Sequence, residues 1–486
     1  MSRSSMKQNN AIKHIVMSAT PICALLGLTL CLSVLSADAQ TLAPEQKLLR
    51  EIFQELVEIN TTDSTGDTTK AAAAMAARLK AGGIPADGIK VIVPPDAPKK
   101  GNLVARLRGS GAKRPLLLLA HIDVVEANRA DWQRDPFKLV EENGYFYARG
   151  AADNKAMASS LVSLLIQLKQ EGYRSNRDII VALTADEEII PSKYNGVEYL
   201  LKNHHSLIDA ELALNEGGSG RIDRNGKYLF HSMQAGEKVF QTYRLEVTNP
   251  GGHSAQPVKD NAIYHLAEGL TRLAKFDFPV KITDVPRAYF ARMAELESGQ
   301  LATDMKAILR EPPDSQALVR ITAVPRYNAL LRTTCVATML DAGHATNALP
   351  QRARAVVNCR VLPGESVAEV QKTLASVLAN EKIALTPDGA AVLSPASPLT
   401  PEIMGRVAEI SAQMWPGIPI VPTMSAGATD GRFLNNSGIP AYGISGQFHE
   451  AEGNGVHGLN ERLRAKSLYE GREFLLRLVK ALSSSQ

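Results

Sequence analysis

Charge of one sign does not dominate this 486-residue chain: Lys and Arg number 54 against 50 Asp and Glu. Without a basic stripe there is no electrostatic footprint for a nucleic-acid partner. Internal repeats and low-complexity tracts are missing, so the chain is not a repeat array. Apart from one N-terminal run, no segment is apolar enough to span a bilayer, and no stable membrane partner is expected. Cysteine is scarce, at four, and Cys23 and Cys31 lie within that run.

What is present begins with the run itself. Arg3, Lys7 and Lys13 precede IVMSATPICALLGLTLCLSVLS (15–36), and Ala37 and Ala39 follow in an A-x-A arrangement. This layout reads as a secretory signal peptide over 1–39, cleaved after Ala39. The competing reading is an uncleaved anchor, since the run is long enough to cross a bilayer. The mature chain is expected to be exported, periplasmic or secreted. Cys335 and Cys359 then remain, on the strand-like runs LLRTTCVATML and RARAVVNCRV, equidistant from Asn347. A hairpin turning there sets them opposite each other. An oxidising compartment permits a disulfide; the plainer expectation is two buried thiols.

The length calls for more than one domain. Apolar content of 45% and charged content of 21% are those of a soluble globular protein. From residue 45 helix and strand alternate. EQKLLREIFQELVEI, TKAAAAMAARLKAGG and AMASSLVSLLIQLKQEG read as helices. NLVARLRG, PLLLLAHIDVV, DIIVALTADEE and AELALNEGG read as apolar strands of a mixed, largely parallel α/β sheet with both faces covered. After 235 the pattern changes to a β-α-β-β-α-β order, which predicts an inserted ferredoxin-like α+β sandwich. The expected organisation is a catalytic α/β domain over 40–235 and 394–486, with the insert spanning 236–393. The segment 275–325 is poorly patterned, and is expected to build the pocket that discriminates substrates.

Three of the apolar strands finish on ligand-type side chains: His121 and Asp123; Asp186, Glu187 and Glu188; and Glu216. The loop GAADNKA adds Asp153. Ligands of open α/β sheets bind beyond the carboxyl ends of strands. Carboxylates crowded there repel one another, and metal ions resolve the conflict; imidazole with carboxylate suits zinc. Each residue alone has a plain reading: Asp153 as a helix cap, the Glu pair as solvated charges. Co-occurrence in order of H-x-D, D-x-K, E-E, E-G-G and a late H-G-x-N-E outweighs these.

On AHIDVV, RGAADNKA, TADEE, LNEGG, GGHSAQP, NALP…NCR, GATDGRF and VHGLNE, the chain resembles the dinuclear-zinc aminoacylase/carboxypeptidase family across nearly its whole mature length. That family includes acetylornithine deacetylase, succinyl-diaminopimelate desuccinylase and glutamate carboxypeptidase. The pattern is nearest the branch with carboxypeptidase S-like and N-acyl amino acid hydrolase members. The resemblance implies an enzyme cleaving an amide bond adjacent to a free carboxylate, using a water held between two Zn²⁺, with Co²⁺ or Mn²⁺ as alternatives. It implies His121, Asp153, Glu188, Glu216 and His457 as metal ligands, Asp153 bridging. Asp123 would orient His121, and Glu187 would be the general base. His253 would steady an oxyanion, often in a partner subunit's site, so a homodimer through the lid is expected. Asn347 and Arg360 match the substrate clamp, Arg suiting a free carboxylate; Asp430 and Arg432 are expected to line the pocket.

Family members often carry Asp where this chain has Asn215, which leaves Glu216 the ionisable ligand there. His204, His205, His231, His265, His344 and His449 lack such a context and read as surface or packing residues, with His449 the one rival of His457. A metal-bearing peptide-binding protein without turnover is the alternative, and Glu187 argues against it, because binding needs no base.

Overall fold

The computed structural model describes residues 42–484. The predicted signal peptide over 1–39 lies outside these residues. Among the described residues no helix is long and apolar enough to cross a membrane.

The main sheet is built on β1 (Asn102–Leu107), β2 (Leu116–His121), β3 (Ile179–Thr184), β4 (Leu212–Asn215) and β5 (Tyr228–Glu237). A second sheet takes β6 (Val239–Thr248), β7 (Thr334–Ala342), β8 (Arg352–Val361) and β9 (Ala384–Asp388). The chain then returns to the main sheet through β10 (Ile420–Ser425) and β11 (Ala441–Gly443). The order β1-β3-β2-β4-β11-β5 is mixed. β2 runs parallel to β3 and β4, and β11 to β4, while β1 is antiparallel to β3.

The leucine run of β2 is buried along its whole length because the sheet has a core on each face. Leu116, Leu118 and Ala120 belong to one core, Leu117 and Leu119 to the other. Alternation along β3 divides Ile179, Val181 and Leu183 from Ile180 and Ala182 in the same way. Strands with no polar face are the rule where helices cover both sides. On one side the covering helices are α1 (Pro44–Glu58), α2 (Thr68–Ala81) and α3 (Lys155–Gln170). α1 buries Leu49, Ile52, Phe53, Leu56 and Val57, one stripe at helical spacing. α3 is buried on nearly every side.

The second sheet has the order β7-β8-β6-β9, antiparallel throughout. Its helices, α4 (Ala262–Ala274) and α5 (Val367–Leu378), pack on one face through Leu266, Leu273, Val370 and Leu374. This is the predicted β-α-β-β-α-β order, and both sheets lie in one compact unit from Ala43 onward. Cys335 and Cys359 are paired across β7 and β8 and form a disulfide, which corrects the expectation of two thiols. The segment 275–325 is helical: Asp284–Leu296, Gly299–Ala307 and Ser315–Thr322 pack around Phe290, Tyr327 and Val421 of β10.

Candidate active site

β2 delivers His121 at its last residue, and the chain leaves β3 through Asp186 into Glu187 and Glu188. Asp186 sits at φ 61° and His457 at φ 62°, a left-handed region that non-glycine residues seldom occupy. Such strain concentrates at functional sites. Glu216 follows β4, and Gly217 after it has φ 111°. A Cβ there would run into the Gln234 amide, so only glycine lets the chain leave the ligand at this angle.

These residues close on one point. The His121 Nε2 faces Asp153 Oδ1 at 3.0 Å and Glu216 Oε2 at 3.4 Å. The His457 Nε2 faces Asp153 Oδ2 at 3.2 Å and Glu188 Oε2 at 3.1 Å. Asp153 therefore offers one carboxylate oxygen to each imidazole. Two triads, His121–Asp153–Glu188 and His121–Glu187–Glu216, have donor atoms within 4.8 Å of one another. On the far side of the first imidazole, His121 Nδ1 meets the Asp123 carbonyl at 3.1 Å. The Asp123 carboxylate accepts the backbone N–H groups of Glu187 and Glu188 at 3.2 and 3.1 Å. One buried aspartate thus orients a histidine and fixes the loop that carries both glutamates.

The electrostatics call for positive charge. Burial, with Glu216 next, pushes the Glu187 carboxyl well above its ordinary range. Burial likewise pushes Glu216 up to about 7. Burial alone would lower the His121 imidazole, but Glu216, Asp123 and Asp153 outweigh it and hold it well above its usual value. Hydrogen bonds to Asp153 and Glu188 raise His457 to about 10. Carboxylates and imidazoles in this array are the donor set that divalent ions of the zinc type take, and such ions answer the same demand for charge.

Glu461, the last letter of H-G-x-N-E, braces the loop that carries Asp153. Its carboxylate accepts the N–H groups of Gly150, Ala152 and Asp153 at 2.9, 2.7 and 2.9 Å, and pairs with Arg149 at 2.8 Å. Asn215 donates to Thr429 Oγ1 at 3.2 Å, so the neutral amide has its own partner. Asp430, expected on the pocket wall, is only 1% exposed. It accepts from Thr184 Oγ1 at 3.1 Å and Asn195 Nδ2 at 2.6 Å, tying the end of β3 to the next loop.

A cavity of about 600 Å³ adjoins the Glu pair. Ile189, Ile190, Phe240 and Phe433 give it apolar walls, while Lys238 and Arg432 bring cations. The Arg360 guanidinium lies over the Phe240 ring at 4.6 Å. Burial, with Arg432 next, depresses it. None of the residues that line this cavity belongs to 275–325, whose helices pack on one another and against the sheet. Asn347 and His253 stand elsewhere. Both are exposed, His253 on a small two-stranded ladder beyond the far end of β8 and Asn347 just before the second strand of that ladder. Arg352 and Arg360 alone are separated by roughly 26 Å of strand, at ~3.3 Å per residue. Within one chain, therefore, Asn347 and Arg360 are not brought together. His449 lines a separate cavity of about 300 Å³ with Asp153 and Glu216, bonded to Ser219 Oγ at 3.0 Å. Trp132 is buried under the Arg149 guanidinium, packing its loop.

A mixed α/β sheet whose strand ends carry a His/Asp/Glu cluster able to hold metal ions is the layout of a metal-dependent hydrolase. The profile of peptidase family M20/M25/M40 matches residues 117–481, and the chain belongs to that family. It is 28% identical to the N-fatty-acyl-amino acid synthase/hydrolase PM20D1 of Mus musculus, over 75% of this chain and 74% of that protein. It is 26% identical to the probable carboxypeptidase S-like 2 of Dictyostelium discoideum, over 76% and 71% of the two chains. Among solved structures, the M20 family metallo-carboxypeptidase Sso-CP2 of Sulfolobus solfataricus superimposes with a TM-score of 0.65 at 19% identity, covering 90% of this chain and 99% of that one. The chain is a hydrolase of amide bonds.

Proposed function

We propose that this is an exported, zinc-dependent amidohydrolase that cleaves an amide bond next to a free carboxylate, in N-acyl amino acids or at the C-terminus of short peptides. The observation that carries this reading is the pair of imidazoles, His121 and His457, facing opposite oxygens of Asp153 with Glu187 beside them. His121, Asp153 and Glu216 would hold one Zn²⁺, and Asp153, Glu188 and His457 the other; Co²⁺ or Mn²⁺ suits the same donors less specifically. Such ions, when bound, supply the charge that polarises an amide carbonyl and acidifies water.

Glu187 takes the proton of the attacking water and hands it to the leaving nitrogen. Asp123 sets the His121 tautomer and holds Glu187 in place through its N–H. Arg360, with Arg432, receives the substrate carboxylate, and the apolar walls of the adjoining cavity receive its side chain. The names of the similar proteins, an N-fatty-acyl-amino acid hydrolase and a carboxypeptidase, support both substrate classes. His253 and Asn347, exposed away from Arg360, serve the site of a second copy, His253 steadying the oxyanion. In this organisation 40–235 and 394–486 are catalytic, and 236–393 is the lid through which two copies pair. The disulfide supports an oxidising compartment.

The test is a panel of N-acyl amino acids and dipeptides, assayed on zinc-loaded wild type and on Glu187→Gln. The variant keeps its metal content and loses roughly 10²- to 10⁴-fold in turnover. Near-normal turnover would remove Glu187 as the base, and a panel without hydrolysis would remove the substrate class.

A further inference from the structure

Lys238 is the first residue past β5, where the chain passes from one sheet into the other, and no sequence pattern marks it. Its side chain is buried, yet no carboxylate pairs with it among the described residues. Its Nζ instead donates to the Arg332 carbonyl at 2.8 Å and to Thr334 Oγ1 at 3.1 Å. An ammonium has three hydrogens, and Lys238 lines the cavity next to the Glu pair. Arg432 lines the same cavity, and its buried Nη1 has no hydrogen-bond partner among the described residues. Burial, with the Arg360 charge next, pushes Lys238 down to about 7. Glu365 offsets the Lys238 charge in part, and Glu237 and Asp430 that of Arg432; the carboxylates on the cavity wall, Glu198 and Asp388, are paired with Lys202 and Arg244. The open Arg432 donor and the third Lys238 hydrogen are therefore left for an acceptor that enters the cavity.

The acceptors of Lys238 sit on a tethered turn. Thr334 is paired across the ladder with Arg360, and Cys335 with Cys359. The disulfide therefore lies one ladder step from Arg360, on the opposite face of the sheet, with Cys359 in the core beneath α4 and α5. β7 is an edge strand, largely exposed, with a bulge between Ala337 and Met339. Edges of this kind fray, and the covalent link falls where fraying would carry Arg332 and Thr334 away from Lys238.

We propose that Lys238 is a further cation of the carboxylate receptor, and that the Cys335–Cys359 disulfide positions it by pinning the Arg332–Thr334 turn. This rests on the reading of Arg360 as a carboxylate clamp. The substrate's carboxylate accepts from the third Lys238 hydrogen and from Arg432, on the face where Arg360 stacks over Phe240.

The experiment uses the zinc-loaded enzyme, the substrate that ranks first in the panel, and that substrate's C-terminal amide. Lys238→Met raises KM about tenfold or more on the acid, the loss expected of a hydrogen bond to a charged group. It leaves kcat, metal content and KM for the amide unchanged. Cys335→Ala/Cys359→Ala shifts KM in the same direction by a few-fold, and combining it with Lys238→Met adds nothing further, because both act through one contact. Thr334→Val, which removes one acceptor without touching the disulfide, gives the same selective rise and stands in if the alanine pair does not fold. Equal losses on acid and amide, or effects that multiply in the combined variant, overturn the inference. Should Arg360→Ala itself fail to discriminate acid from amide, the clamp reading falls; if it discriminates while Lys238→Met is silent, only this inference falls.

Discussion

Two buried histidines in this chain obey opposite electrostatics. His121 sits among carboxylates, which raise it well above its usual range and ask for positive charge at this spot. His231 sits among Trp415, Phe448 and Phe474, with Ser411 Oγ at 3.0 Å from Nδ1, and burial pushes it down to about 3. Its unfolded value is about 6.5. Between those values the unfolded chain binds a proton that the folded chain refuses, so folding stability falls as pH drops from about 6.5 towards 3. His231→Phe removes this contribution. Urea midpoints taken from pH 7.5 to 4.5 are expected to fall less steeply for the variant than for wild type; parallel curves would show that His231 does not titrate in this way. Of the two histidines, only His121 was legible, because it ends an apolar strand two residues before an aspartate. The packing of His231 depends on Trp415 and Phe474, some 180 and 240 residues away in sequence, and no local pattern reports that. Asp430 was read from its GATDGRF setting as a pocket residue, yet a motif gives no account of which way its carboxylate points.

Elements built from strong periodicity, such as α1, α3 and the β2–β3 pair, were legible because burial on one stripe or on both faces leaves its mark on every residue. The helices of 284–331 were not, because their apolar residues, among them Phe290, Met305, Ile321 and Tyr327, close on one another across several short segments and on Val421 of β10, so that no single segment carries a long stripe. Loops are harder still. The loop before α3 holds Asp153 in place only because Glu461, from a distant segment, collects three of its N–H groups and the Arg149 guanidinium. Glu461→Gln keeps the shape and removes the charge. Supporting partners of ligands typically change metal affinity by about 10- to 100-fold when lost, and that is the weakening expected in titrations against buffered zinc. Affinity equal to wild type would mean that the loop holds its form without the Glu461 charge. The same variant leaves Arg149, 3% exposed at its side chain, without a counter-charge, so a lower melting temperature is expected to accompany the lost affinity.

β7 pairs with β8 on one side and, among the described residues, with no strand on the other. Val336, Met339 and Leu340 on it are 61%, 68% and 68% exposed, an unusual set of side chains for a strand edge facing water. The ladder that bears His253, with Asn347 just before its second strand, is a separate two-stranded sheet that follows β6 and precedes β8 in the chain, away from Arg360. An edge that recruits a second copy would cover those apolar groups and carry both residues to a site they do not reach in their own chain. The proposed dimer makes a quantitative prediction that an isolated chain does not. Glu187→Gln and His253→Ala each disable hydrolysis when assayed alone. In a mixed dimer, the His253→Ala chain keeps its own Glu187 and receives His253 from its neighbour, so one of the two sites is whole. Co-refolding equal amounts pairs chains at random, half of the dimers are mixed, and about a quarter of wild-type activity returns. If His253 acts within its own chain, mixing restores nothing, because every site then lacks one of the two groups. Recovery near a quarter, absent when Val336 and Met339 are changed to lysine in both chains, would tie the shared site to this edge; recovery that survives those lysines would move the interface elsewhere.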